Sequence, residues 1–357
     1  MNPIDRNPEL KYTEIRDVKE AYVHGRTCDA NKFIPLFWNN SGIEVCNDGS
    51  ELWIDVEVDY SVFEPWYAIE INGALVSRAM LQPGRSNICL FRNMSKGVVK
   101  RVFFYRELQA MGEDNDCHVL IHGMYSDGRF SKVPPYKYKI EFIGDSISSG
   151  EGTYGAHEDM DWIPMYMSSS HNYINMISKK MNADVRIISQ GGWGVCTGWD
   201  SNLGHNIPII YDKVCGLAYG EFNRKIGADK IYDSSKWQAD AVVINLGTND
   251  ASGLSGSRLS EEDIENAIFY FLQKVRKYYP KAEILWVYGM LGYGISTNIS
   301  RAVTRYIDET GDKKVMYLTL PNTLEDEYGS RQHPGLRSHE KAAKIICDYL
   351  ETALGQN

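Results

Sequence analysis

Two different spacings of apolar residues divide this chain. Up to about residue 133, apolar and polar side chains alternate in short runs, as between Glu51 and Tyr60, and this alternation is typical of strands that bury one face. From about residue 138 onward, short apolar runs alternate with longer stretches of helical spacing. Strands that alternate with helices predict a parallel sheet, so the two parts of the chain belong to different fold classes.

The first part predicts a β-sandwich. Residues 66–76 hold two apolar runs joined by Asn72-Gly73, which is the strongest short-range signal for a hairpin. Further strand-like runs lie at 87–92, 98–106 and 118–122. Several short strands without convincing helices favour a jelly-roll-like sandwich. The paired prolines of Val133-Pro134-Pro135-Tyr136 then make a stiff connector, so we predict a sandwich domain over 1–135 and a second domain over 136–357.

The second part predicts a three-layer α/β/α domain. Strands are expected at 138–144, 184–189, 240–246, 283–288 and 314–318, and helices at 171–182, 261–279, 299–309 and 338–354. Five strands that alternate with helices predict a five-stranded parallel sheet covered on both faces. The long segments 151–170 and 196–238 interrupt this scheme, and long loops in a compact domain tend to be functional.

Composition narrows the functional classes. The chain has 357 residues. Its net charge is −9, so a general nucleic-acid surface is not expected. No apolar run reaches the length of a membrane span, and the first residues lack the layout of a signal peptide. Seven cysteines without a Cys-x-x-Cys pair fit reduced thiols. These features predict a cytoplasmic protein, or a secreted one if a leader was removed.

Ser146 is the first candidate for chemistry. The apolar run 140–143 ends in Gly144-Asp145-Ser146, which places a hydroxyl at the carboxyl end of a buried strand, where open α/β sheets bind ligands. The alternative reading is a serine that only caps a helix. A serine nucleophile needs a base and a group that stabilises an oxyanion, so these were sought elsewhere in the chain.

Three later segments offer those groups. The strand over 240–246 runs into Gly247-Thr248-Asn249-Asp250, which supplies the amide of Asn249. The strand over 184–189 runs into a glycine cluster that contains Gly192, with Gly194 as the alternative position. His333 lies in a turn before the last predicted helix. Asp145 and Asp250 are expected to brace their own turns, and His339 is expected to be structural and to face away from the site.

In this order, the four blocks resemble those of the SGNH (GDSL-type) hydrolases. Ser146, Gly192, Asn249 and His333 match the Ser, Gly, Asn and His that name the superfamily, over roughly residues 137–357. The two-domain layout is most similar to carbohydrate esterase family 2, whose members are deacetylases of acetylated sugars. The resemblance implies Ser146 as nucleophile, His333 as base, and an oxyanion hole of Ser146, Gly192 and Asn249, with no metal and no cofactor.

One element of the family pattern is missing. The family's His block carries an Asp two or three residues before the His, and here those positions hold Arg331 and Ser330. Three explanations stay open. A backbone carbonyl orients the imidazole in a Ser-His dyad, Asp326 or Glu327 reaches back to it, or the chemistry is impaired. Loss of the acid from a true triad costs about 10⁴ in rate.

The prediction that follows is a serine esterase that removes O-acyl groups, chiefly acetyl, from carbohydrate. Trp193, Tyr154, Trp162 and Trp199 are candidates to stack on a sugar ring, with loop packing as the alternative. The alternatives in function are an esterase, lipase or thioesterase for another short acyl group, and a carbohydrate-binding protein with a decayed hydrolase site. The partner is therefore expected to be a small-molecule or oligosaccharide acetyl ester, with no nucleic acid and no membrane.

Overall fold

The computed structural model describes residues 2–29, 31–256 and 258–355. The chain forms two compact units, one of Met1–Pro135 with Lys213–Ile231 and one of Tyr136–Asp212 with Tyr232–Asn357. The predicted second domain covers all of 136–357. The structure differs at Lys213–Ile231, which groups with the first unit.

The first unit consists of two antiparallel sheets. Its strands are β1 (Lys11–Glu14), β2 (Tyr22–His24), β3 (Ile34–Pro35), β4 (Gly42–Asn47), β5 (Leu52–Asp59), β6 (Trp66–Ile71), β7 (Ala74–Met80), β8 (Gly84–Phe91), β9 (Lys100–Arg106), β10 (His118–Ser126) and β11 (Phe130–Ser131). One sheet has the order β1-β10-β5-β8, with β3 beside β10. The other has the order β11-β4-β9-β6-β7, with β2 beside β4. Apolar residues of both sheets, such as Val56 and Phe104, share one buried core, as in a sandwich.

The hairpin predicted at Asn72-Gly73 joins β6 and β7. Both turn residues adopt positive φ, 53° for Asn72 and 82° for Gly73, which suits the right-handed twist of the flanking strands. Side-chain contacts inside the unit also hold the segment Lys213–Ile231. Trp38 Nε1–H donates to the carbonyl of Val214 at 2.8 Å, and the Asn31 amide donates to that of Ile226 at 2.8 Å.

The second unit contains the predicted five-stranded parallel sheet. Its strands are β12 (Tyr138–Gly144), β13 (Ala183–Ser189), β14 (Ala241–Asn245), β15 (Glu283–Tyr288) and β16 (Val315–Thr319), in the order β13-β12-β14-β15-β16. The α-helices of the described residues are α1 (Ser146–Ser149), α2 (Tyr173–Met181), α3 (Glu221–Lys225, in the first unit), α4 (Asp250–Ser255), α5 (Glu261–Tyr278), α6 (Ser296–Thr310) and α7 (Leu336–Gly355). Short 3₁₀ helices lie at Pro3–Asp5, Ile15–Asp17, Pro164–Tyr166, Ile207–Ile209, Ser234–Lys236, Glu325–Glu327 and Ser330–Gln332.

Helices cover both faces of this sheet. On one face, α2 and α7 bury apolar side chains against residues such as Leu285 and Val287. Trp286 lies between these two in sequence and therefore points to the other face, where Phe271 of α5 packs against it. Helix α6 packs on α5 through the contact of Tyr306 with Phe269. The three-layer architecture is thereby confirmed.

The sheet order places a crevice between β12 and β14. From β12 the chain moves outward to β13, whereas from β14 it moves in the opposite direction to β15. Gly144 at the end of β12 lies beside Asn245 at the end of β14. Open α/β sheets bind ligands where the strand order reverses in this way. Within the described residues, no helix is long and apolar enough to cross a membrane.

Candidate active site

Ser146 begins the short helix α1 directly after β12. Asp145 caps this helix, because its Oδ1 accepts the N–H of Ile147 at 3.0 Å, as the sequence predicted. Gly144 is required for the tight turn, since a Cβ there would lie 1.9 Å from Ser148 Oγ. The turn therefore presents the Ser146 hydroxyl at the carboxyl end of the sheet.

His333 contacts that hydroxyl. Its Nε2 lies 2.9 Å from Ser146 Oγ, and its Nδ1 lies 2.9 Å from the carbonyl oxygen of Arg331. A carbonyl can only accept, so Nδ1 carries the proton and Nε2 is left to accept from the serine hydroxyl. This is the tautomer that a general base requires.

The two acids considered as replacements are engaged elsewhere. Asp326 pairs with Arg337 at 3.3 Å, and Glu327 pairs with Lys341. The group at Nδ1 is the main-chain carbonyl of Arg331, which is the arrangement that the dyad alternative requires. Orientation of the imidazole therefore depends on the conformation of the turn before it.

That turn has an unusual backbone. Arg331 and Gln332 both adopt the left-handed region, with φ of 55° and 54°. Such conformations cost free energy in residues other than glycine and persist only where surrounding contacts hold them. The N–H of Arg331 donates to the carbonyl of Asp159 at 2.7 Å, and its Nε donates to Glu151 Oε1 at 2.8 Å. Glu151 is not among the residues predicted from the sequence, and the signal for it was a carboxylate five residues after Ser146.

Asn249 connects the segments that carry the other predicted oxyanion donors. Its side-chain amide donates to the carbonyl of Trp193 at 2.9 Å and to Asp145 Oδ2 at 3.5 Å. Trp193 follows Gly192, and Asp145 precedes Ser146. The amide therefore joins these two segments, and both of these hydrogen bonds go to acceptors of the protein itself.

Of the two candidate glycines, Gly192 suits an oxyanion hole better than Gly194. The N–H of Gly194 donates to the carbonyl of His205 at 3.4 Å, and a Cβ on Gly194 would lie 2.2 Å from Asp250 Oδ2. The structure thus gives Gly194 a packing role. Gly192 has a φ of 77°, a conformation that favours glycine.

Asp250 anchors the loop that follows these glycines. Its Oδ2 accepts the N–H of Val195 at 2.9 Å, and its Oδ1 accepts those of Cys196 and Thr197 at 2.7 and 3.0 Å. Burial raises the pKa of the Asp250 carboxyl, while these three bonds act in the opposite direction. The sequence predicted an anchor for its own turn, whereas the residue holds the neighbouring loop. Burial likewise raises the pKa of Asp145, to about 7.

The four aromatic candidates differ in exposure. Trp193 is only 9% exposed and stacks on His205 with ring centroids 5.2 Å apart, so little of its face is free. Tyr154 is half-buried, and its hydroxyl contacts His171 Nδ1 at 2.7 Å; Trp162 is also half-buried. Trp199 is 68% exposed, and its Cδ1 lies 2.8 Å from where a Cβ on Gly192 would be. Trp199 is therefore the most exposed of the four, and it lies next to Gly192.

His339 lies inside the domain and does not face away as expected. The N–H of Tyr173 donates to its Nδ1 at 3.3 Å, and its Nε2 lies 3.3 Å from Thr153 Oγ1. Burial lowers the pKa of His339 to about 4, so the ring is neutral and ties α7 to α2 and to the turn after α1.

Within the described part of the chain, no group of three or more His, Cys, Asp or Glu could hold a metal ion.

Fold and site together define a class. The family described as GDSL-like lipase/acylhydrolase matches residues 140–347, more than half of the chain, and the chain belongs to this family. The resemblance to the SGNH (GDSL-type) hydrolases inferred from four short blocks is therefore confirmed.

Individual relatives narrow the comparison. The structure of an acetyl xylan esterase (Est2A) from the rumen bacterium Butyrivibrio proteoclasticus has a TM-score of 0.94 and 46% identity, covering 97% of this chain and 99% of that one. A family two carbohydrate esterase from Clostridium thermocellum, solved in complex with cellohexaose, has a TM-score of 0.83 at 22% identity, covering 94% and 99% of the two chains. The cellulase/esterase CelE of Acetivibrio thermocellus is 26% identical over 361 residues, or 99% of this chain. The chain spans 40% of the length of CelE. The predicted similarity to carbohydrate esterase family 2 is confirmed.

Proposed function

We propose that this protein is a serine esterase that removes acetyl groups from carbohydrate hydroxyls. The observation that carries the proposal is the pair of 2.9 Å contacts of His333, one to Ser146 Oγ and one to the Arg331 carbonyl. They supply a nucleophile, a base and the orientation of that base. The intact geometry also favours an active enzyme over a binding protein with a decayed site.

The reaction follows from these positions. Ser146 Oγ attacks the ester carbonyl while His333 Nε2 takes its proton, which gives a tetrahedral oxyanion and an imidazolium. The N–H groups of Ser146 and Gly192 and the amide of Asn249 are proposed to stabilise the oxyanion. When the tetrahedral intermediate collapses, its C–O bond to the alcohol breaks, and the alcohol leaves with the proton from His333 Nε2. Water, deprotonated by the same nitrogen, then hydrolyses the acyl-serine and releases the acid.

Similar proteins and the surface beside the site both support an acetylated carbohydrate as the substrate. The 46% identical relative is named an acetyl xylan esterase, which supports an acetylated xylan or a similar polysaccharide. Trp199 offers an exposed indole next to Gly192 for stacking on a sugar ring. A cleft of about 460 Å³ also borders Gln332, the residue before His333. Its lining of mixed polar and aromatic character suits sugar hydroxyls and includes His157, Leu291, Gly292, Asn322, Glu325 and Tyr328.

The test is acetate release from acetylated xylo-oligosaccharides, compared with p-nitrophenyl esters of increasing acyl length. We expect release from the sugar substrate and a preference for acetyl among the aryl esters. Ser146→Ala should reduce both activities to background. Turnover of long acyl esters only, with acetylated sugars untouched, would contradict the sugar substrate. Equal rates for wild type and Ser146→Ala would contradict the enzyme itself.

A further inference from the structure

Glu151 is a buried carboxylate that reaches two parts of the catalytic machinery at once. Its side chain is 6% exposed, and Oε1 accepts from Arg331 Nε at 2.8 Å. The same oxygen lies 3.8 Å from His333 Nε2. A charged group is seldom buried without a function or a partner, and here the partner is the residue whose carbonyl orients the base.

The acid of a Ser-His-Asp triad has two roles. It holds the imidazole in the correct tautomer, and its negative charge stabilises the imidazolium that forms during the reaction. The carbonyl of Arg331 at Nδ1 can perform the first role. A neutral carbonyl carries only a partial charge, so it performs the second role weakly.

The position of Glu151 supplies the missing charge. Its carboxylate faces the imidazole from the Nε2 side, where the proton arrives from Ser146. Attraction between charges is strong at this distance in a partly buried site. The guanidinium of Arg331 offsets part of that charge, so the pair acts on the imidazole more weakly than a lone carboxylate at the same distance would.

The same pair holds the strained turn. Arg331 and Gln332 are both left-handed, and the guanidinium of Arg331 is fixed by Glu151 and by a contact of its NH1 with the Met160 carbonyl at 3.3 Å. Without Glu151, the side chain of Arg331 would lose its strongest partner. The carbonyl that orients His333 belongs to this residue, so its position would be less well defined.

We propose that Glu151 and Arg331 together replace the absent triad acid, with Arg331 orienting His333 through its carbonyl and Glu151 providing the negative charge. Both are positioning residues that act through His333. The inference rests on the proposed function. Two further titratable groups of the described residues act on this pair. His339 on α7 interacts with His333, and burial lowers its pKa to about 4, so it stays neutral where an esterase is assayed. Asp145 interacts with Glu151, and burial raises its pKa to about 7.

Charge-changing variants separate this account from a purely structural one. Glu151→Gln removes a negative charge that attracts the imidazolium. It also leaves the positive charge of Arg331 uncompensated, and that charge repels the imidazolium. We expect kcat on p-nitrophenyl acetate to fall roughly tenfold to a hundredfold, less than the 10⁴-fold loss for the acid of a full triad. The acid limb of the pH profile of kcat/KM should move to lower pH. Arg331→Gln leaves the negative charge of Glu151 without its positive partner, which favours the imidazolium. The acid limb of the kcat/KM profile of this variant should therefore move to higher pH.

Two further variants complete the set. The double variant Glu151→Gln/Arg331→Gln removes both charges. The acid limb of its kcat/KM profile should therefore return toward the wild-type position. Glu151→Asp keeps the charge and should restore the wild-type limb with a lower kcat. A matched control is Asp312→Asn, because Asp312 Oδ2 accepts from Arg276 Nε at 2.7 Å in the same domain. It should lower thermal stability and leave kcat and the pH profile in place.

The outcomes are distinguishable from failure of the proposed function. If the wild type releases no acetate, the proposed function fails before the variants are compared. If the wild type is active and folded Glu151→Gln and Arg331→Gln keep the wild-type limb, or shift it in the same direction, the inference is overturned. Should one of them not fold, the direction of shift in the other decides.

Discussion

The two sides of the active site are held in place by different means. One side, called here the oxyanion side, carries the proposed oxyanion donors Gly192 and Asn249. There the carboxylate of Asp250 accepts three main-chain N–H groups, from Val195, Cys196 and Thr197. On the base side, the turn before His333 is held through the side chains of Glu151 and Arg331. One loop is thus fixed through its backbone by a single acid, and the other through an ion pair.

The difference indicates which changes each side tolerates. Because the three N–H groups that Asp250 accepts belong to the main chain, the side chains of the loop it anchors can vary without loss of the anchor. The base side depends on the charge and shape of two particular side chains, and their charges lie beside the group that titrates during catalysis. We therefore expect pH dependence to report on the base side, and rate losses without a pH shift to report on the oxyanion side.

The largest effect expected on the oxyanion side comes from Asn249→Ala. Loss of one oxyanion donor lowers kcat by about 10²–10³. The acid limb that belongs to His333 should stay in place, since the contacts of His333 are unchanged, and any shift would come from Asp145, which loses the Asn249 amide and whose pKa burial raises to about 7. Steady-state kinetics on p-nitrophenyl acetate between pH 5 and 9 would measure both. A shift of the limb that belongs to His333 would show that the two sides are not separate.

Asp250→Asn tests the anchor. An Asn amide cannot accept through its nitrogen, so at least one of the three buried N–H groups loses its acceptor. This costs about 1–3 kcal/mol of stability. We expect a lower denaturation midpoint in urea and a reduced kcat with an unmoved pH limb. Asp312→Asn serves as the reference for a lost ion pair far from the site. Unchanged stability would mean that the loop is held by other contacts.

Trp199→Ala tests the exposed indole beside Gly192. A stacking contact contributes about 0.5–1.5 kcal/mol, so KM for acetylated xylo-oligosaccharides should rise roughly threefold to tenfold. The rise should be absent for p-nitrophenyl acetate, which lacks the sugar. Trp193→Phe is the matched comparison, because Trp193 is covered and stacked on His205. An equal rise for both substrates would indicate a structural role for Trp199.

The smallest effect concerns His339 and appears as a pH dependence of stability. Its pKa in the folded protein is about 4, below the ordinary 6.5. Between these values the unfolded chain binds the proton and the folded one does not, so its contribution is complete above pH 6.5 and is lost as pH falls toward 4. His339→Gln removes this dependence, and its deficit relative to wild type should shrink as pH falls. Urea unfolding at pH 7 and pH 5 would measure it; a deficit that grows would contradict the assignment.

Much of the fold was predictable because its signals are local. The strands around Ser146 and Asn249 are continuous apolar runs that end in polar turns, and β12 and β15 have the predicted bounds. The Asn72-Gly73 hairpin followed from turn chemistry alone. The grouping of Lys213–Ile231 with the first unit was not predictable, because its contacts with residues such as Trp38 and Asn31 are distant in sequence and leave no periodicity.

In the site, too, contacts between residues distant in sequence were not predictable. Ser146, Asn249 and His333 belong to short motifs, whereas Glu151 and Arg331 are separated by 180 residues and come into contact at a turn in which Arg331 is left-handed. Arg331 occupies a position at which the family pattern places an acid, so the sequence indicates only that the acid is missing. The aromatic candidates could be named but not ranked, since the exposure of Trp193 and Trp199 depends on the loop that Asp250 holds.

The central claim is that His333, oriented by a backbone carbonyl, activates Ser146 to form an acyl-enzyme. Rapid quenching of the enzyme with p-nitrophenyl acetate, followed by peptide mass spectrometry, tests it most directly. The account predicts an acetyl group on the peptide that contains Ser146, at a level that falls in His333→Ala and vanishes in Ser146→Ala. Turnover in the wild type with no acetylated Ser146, or with the acetyl group on another residue, would contradict it.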